Sequence, residues 1–110
     1  MTGSAFATAA KGPDGRPIIE VGELDYRGNK LRLMGTACVY EGNVLIRVED
    51  QSGSFRTWNV PASAGGPQRG DWSAEVVIAD TTTRVVIGQE EMEESAATKS
   101  AREVIIPVPS

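Results

Sequence analysis

Residues 30–49, KLRLMGTACVYEGNVLIRVE, decide the fold class, because their apolar side chains recur at every second position. Leu31, Leu33, Gly35, Ala37 and Val39 share one parity, while Arg32, Met34, Thr36, Cys38 and Tyr40 share the other. Successive side chains of an extended chain point to opposite faces, so this alternation marks a half-buried strand. After Glu41-Gly42-Asn43 the period resumes, with Val44, Ile46 and Val48 inward and Leu45, Arg47 and Glu49 outward. Two such runs joined by a turn-like link predict a β-hairpin.

Downstream, Asp50-Gln51-Ser52-Gly53 is a turn in which Gly53 supplies the positive φ of a tight hairpin, and residues 55–60 form its return strand. Residues 61–70, with Gly65, Gly66, Pro67 and Gly70, suit the long loop that crosses between two sheets. Alternation returns through Trp72, Ala74, Val76 and Ile78, turns at Ala79-Asp80-Thr81-Thr82, and continues through Val85 and Ile87 as a further hairpin. A polar segment, 90–100, precedes a last strand whose Val104, Ile106 and Val108 face inward. Upstream, Lys11-Gly12-Pro13-Asp14-Gly15-Arg16-Pro17 is dense in chain breakers, so residues 1–17 read as a flexible leader and 18–110 as the domain. About seven short strands with turn signals every ~8–12 residues predict an all-β antiparallel sandwich or small barrel.

A chain of 110 residues, 40% apolar and 24% charged, is long enough for one core without disulfides or metal. The net charge of −4 and pI near 4.8, with scattered Lys and Arg, argue against nucleic acid as a partner. No run approaches the ~20 apolar residues of a spanning helix, so membrane insertion is not expected. The absence of histidine removes the usual general base of hydrolytic triads. Cys38, the single cysteine, sits among aliphatic neighbours and reads as a packed residue rather than a nucleophile. Glu90, Glu91, Glu93 and Glu94 offer the hard oxygens that Ca²⁺ prefers, with Asp71 or Asp80 as helpers. Their spacing is not that of an EF-hand, and they read as a solvated face that guards a sheet edge. No catalytic residue, cofactor or metal is expected, and the chain reads as a non-enzyme.

The residues Gly35-Thr36-Ala37, then Val39-Tyr40-Glu41-Gly42-Asn43-Val44, then Arg47-Val48-Glu49-Asp50 with Gly53, and the closing Val104-Ile105-Ile106-Pro107-Val108 occur in a telling order. Gln89-Glu90-Glu91 followed by Glu94-Ser95 fits the same order before the final strand. In this the chain resembles the immunoglobulin-like domain family of bacterial spore germination, which accompanies GerMN-type domains in envelope proteins. The resemblance implies an immunoglobulin-like sandwich with an accessory role in the cell envelope, and transfers no catalytic or ligand residue.

Tryptophan serves both in cores and at interface hot spots. Trp72 keeps phase with Ala74, Val76 and Ile78 and belongs to the core, whereas Trp58 lies on a short strand where its ring is either buried or exposed. Tyr40, Leu45, Arg47 and Trp58 form the expected contact surface, and Arg69 is the candidate of a mobile loop that meets an acidic partner. The expected function is a binding or assembly module that recognises a protein or a cell-wall polymer. The alternative is a structural immunoglobulin-like protein of a phage particle. The first and last strands are candidates for self-association.

Overall fold

The computed structural model describes residues 6–39, 42–65, 68–89 and 102–108. Within them lie eight strands and no α-helix: β1 (Phe6–Ala7), β2 (Ile19–Arg27), β3 (Lys30–Ala37), β4 (Asn43–Asp50), β5 (Phe55–Pro61), β6 (Gly70–Val77), β7 (Thr82–Gln89) and β8 (Val104–Pro107). They form two four-stranded antiparallel sheets, ordered β1-β2-β3-β6 and β5-β4-β7-β8. Immunoglobulin-like sandwiches have this arrangement, because a chain that crosses between sheets places strands distant in sequence side by side.

The alternating parities close the core as the sequence implies. Leu31, Leu33 and Ala37 of β3, with Trp72 and Val76 of β6 beside them in the same sheet, form one buried cluster with Val44 and Ile46 of β4, Val85 and Ile87 of β7, and Val104 and Ile106 of β8 in the other. Burying an aliphatic side chain of this size contributes about 1.5–3 kcal/mol relative to leaving it in water, which makes the two inner faces the main source of stability. The β4–β5 hairpin forms as expected, with Gly53 at φ +91°.

Two expected hairpins do not form. β3 and β4 lie in different sheets, and so do β6 and β7, so the links that follow β3 and β6 cross between sheets rather than turn within one. Val39 and Ile78 are buried in these links and close the ends of the core. The link between β5 and β6 joins the two sheets, as expected.

Within residues 6–17, read from composition as a leader, Phe6 and Ala7 form the first strand of the first sheet and the rest folds back beside it. Phe6 and Ala7 pair with Val21 and Glu20, and Lys11 bridges Pro17. Thr8 is buried, its N–H donating to the Ile19 carbonyl at 3.0 Å and its Oγ1 to the Ala10 carbonyl at 3.0 Å. The breakers shape a tight loop here: Gly15 takes φ +78°, and the Arg16 N–H donates to Asp14 Oδ1 at 3.1 Å.

Candidate contact face

The outward residues of the second sheet form a grid fixed by strand register. One row runs Asn59, Leu45, Gly88; the next Thr57, Arg47, Val86, Ile105; the third Phe55, Glu49, Arg84, Pro107. Val86 points away from the core yet is only 3% exposed, because the side chains around it cover it. Leu45 is half-buried, whereas Ile105 and Phe55 are 45% and 61% exposed.

Charges on this face are paired within it. Arg47 Nε donates to Glu49 Oε2 at 2.5 Å, Arg47 Nη2 approaches Glu103 Oε2 at 3.9 Å, and Arg84 Nε donates to Glu49 Oε1. The Arg47 guanidinium also lies 5.9 Å from the centroid of the Phe55 ring. Burial pushes the Glu49 pKa upward, but hydrogen bonds from Arg84 and Arg47 outweigh it and hold the carboxyl below its usual value. Two Arg and two Glu thus cancel, and an apolar strip of Leu45, Val86 and Ile105 lies among them.

The outer face of the first sheet differs. Its rows are Arg27, Lys30, Val77; Asp25, Arg32, Glu75; Glu23, Met34, Ser73; and Glu20, Thr36, Asp71. Ten of these twelve positions are charged, polar or threonine/serine, with Arg27 on Asp25 at 2.6 Å and Lys30 on Glu75 at 3.6 Å, and the two apolar ones, Met34 and Val77, stand in separate rows with charged neighbours. Such a face keeps its water.

Of the expected contact residues, Leu45 and Arg47 come together on the second sheet's outer face. Trp58 does not join them: it pairs with Ile46 in register and packs half-buried against the core from the inner face of β5. Arg69 lies elsewhere and meets an acidic group of its own chain rather than standing open. Its Nε donates to Asp14 Oδ2 at 2.7 Å and its Nη2 to Asp14 Oδ1 at 3.1 Å and the Pro17 carbonyl at 2.7 Å, while Nη1 donates to Thr36 Oγ1 at 3.2 Å. Tyr40 lies outside the described residues, as do Glu90, Glu91, Glu93 and Glu94. Among the described residues no three His, Cys, Asp or Glu side chains gather as a metal site, and Asp71 and Asp80 are both exposed. Cys38 is buried at 7% exposure.

Val86, Ile105 and Phe55 were not anticipated. Two of them carry a sequence signal: Val85-Val86-Ile87 and Val104-Ile105-Ile106 are unbroken apolar runs, and strands apolar on both faces shed water from both.

A family model for the immunoglobulin-like domain of bacterial spore germination matches residues 23–96, a span that contains β3 to β7 whole. No curated protein and no solved structure matches the chain. With the sandwich topology and a family match over most of its length, the chain belongs to the immunoglobulin-like domain family of bacterial spore germination.

Proposed function

We propose that this domain is a non-catalytic binding module that docks a protein of the bacterial cell envelope or sporulation apparatus through the outer face of β5-β4-β7-β8. The observation that carries the reading is the contrast between the two outer faces. One is mostly charged, its exposed Met34 and Val77 isolated from each other; on the other, Leu45 and Ile105 flank the covered Val86 inside an internally neutral ion network. Interface centres are depleted in unpaired charge and enriched in apolar and Arg side chains, whereas rims are polar. Because Arg47, Arg84, Glu49 and Glu103 already neutralise one another, the face favours an uncharged apolar surface over an anionic or hydroxyl-rich polymer, and so a protein over the cell wall. Membership of a typically non-catalytic family supports the same reading.

The test replaces one exposed apolar residue on each outer face. Ile105→Asp abolishes retention of the envelope or sporulation partner by the immobilised domain, while Met34→Asp, at a position of similar exposure, leaves it intact. Equal retention by both variants overturns the assignment of the face.

A further inference from the structure

Strand β6 ends its sheet, pairing with β3 on one side only. In an antiparallel ladder each residue directs both its N–H and its C=O to one neighbour, and the next residue directs both to the other. Two contacts fix the parity. The Ser63 N–H donates to the Asp71 carbonyl at 2.9 Å and the Asp71 N–H to Ser63 Oγ at 2.8 Å, so Asp71 directs its groups away from β3. The Ile78 N–H, of opposite parity, donates to the Asn29 carbonyl at 2.7 Å on the β3 side. Ser73, Glu75 and Val77 therefore point their backbone groups outward, and among the described residues no backbone group meets them. The strand runs in unbroken register from Gly70 to Val77, without the bulge or proline that commonly blunts an edge.

The surroundings define what fits. β5 packs beside β6 on this side of the sandwich and presents Trp58, half-buried, from its inner face. Beyond, the gap opens into a depression of about 1060 Å³ whose lining includes Val48, Phe55, Arg56, Val77 and Ile78. A strand laid along β6 sends alternate side chains into this gap and the others out beside Asp71 and Glu75. The inner positions call for apolar residues, with no base because Arg56 is already there. The outer positions call for bases, because Asp71 and Glu75 are exposed carboxylates, Glu75 remaining about half exposed beside Lys30 at 3.6 Å. A second copy of β6 is disfavoured, since antiparallel pairing would set the two acidic rows against each other.

From this we propose that the β6 edge is a strand-addition site for an extended segment of a partner protein that alternates apolar and basic residues, distinct from the contact face on the other sheet. The test follows amide hydrogen exchange in the full chain with a short capped peptide alternating valine and lysine. The expected result is slowing on the order of tenfold or more at Ser73, Glu75 and Val77, with no slowing by a valine–glutamate peptide. Ser73→Pro removes an outward donor while sparing the β3 ladder, and abolishes the effect. Should that variant fail to fold, Glu75→Lys serves instead and weakens binding of the lysine peptide. Ile105→Asp leaves peptide binding unchanged, which separates a failure here from a failure of the contact face. Unchanged exchange at saturating peptide, slow exchange at these amides in the free protein, or perturbation confined to Leu45, Val86 and Ile105 overturns the proposal.

Discussion

The guanidinium of Arg69 grips the carboxylate of Asp14 through two hydrogen bonds, at 2.7 and 3.1 Å, across 55 residues of chain. Its remaining donors reach Pro17 and Thr36, so one side chain ties the link between β5 and β6, the 12–17 loop and strand β3 together. Planar bidentate pairing is a geometry that arginine makes and lysine does not.

Arg69→Ala is expected to destabilise the domain by about 2 kcal/mol, chiefly through the lost charge-assisted hydrogen bonds of a side chain that is 11% exposed. Arg69→Lys recovers less than half of the loss. Urea denaturation measures both, and a midpoint unchanged in the alanine variant would contradict the clamp.

The same pair sets a pH dependence. Hydrogen bonding by Arg69, aided by the Arg16 N–H, lowers the Asp14 pKa from 3.8 to about 2. A carboxyl whose pKa is depressed on folding stabilises the folded state above its unfolded value and loses that contribution as pH falls toward its folded value. Wild type is therefore more stable than Asp14→Asn above pH 4, and the difference shrinks as pH falls toward 2. A difference that stays constant over this window would refute the linkage.

Gly35 is packed against backbone: a Cβ there would lie 1.8 Å from the Glu20 carbonyl oxygen. The β2 strand leans over this position beside its bulge between Val21 and Glu23, and two hydrogen-bonded neighbours hold it there. Gly35→Ala should cost about 3 kcal/mol, as overpacking against an immovable neighbour does. A melting temperature within a degree or two of wild type would rule out the contact, given shifts of about 4–8 °C per kcal/mol for a domain of this size.

Alternation revealed which residues face inward at Leu31, Leu33, Val44, Ile46, Trp72 and Val76, because a period of two reports the face directly. It was silent on pairing. The links that follow β3 and β6 have the length and composition of hairpin turns, and only burial of Val39 and Ile78 over the core ends marks them as crossings. Breaker composition at residues 12–17 signals a turn but not its partner, because Arg69, whose guanidinium holds Asp14, is remote in sequence. Of the residues expected to share a surface, Leu45 and Arg47 lie together on the outer face of β4, whereas Trp58 lies on the inner face of β5, because an edge strand's parity does not say which face meets the other sheet.

Val86 offers a sharper check, since simple parity makes it a surface residue. Truncation to alanine should cost about 1–2 kcal/mol, because Val86 is only 3% exposed beneath its neighbours. A surface residue would cost under ~0.5 kcal/mol. Calorimetry on Val86→Ala distinguishes the two.

The most direct measurement of the central claim places a photo-crosslinking amino acid at position 105 on one outer face and, separately, at position 34 on the other, where native exposures are 45% and 42%. Irradiated in the producing cell, the variant at 105 is expected to trap a protein partner and the variant at 34 none. Crosslinks to one protein at both positions, or at 34 alone, would contradict a binding module that works through the outer face of β5-β4-β7-β8.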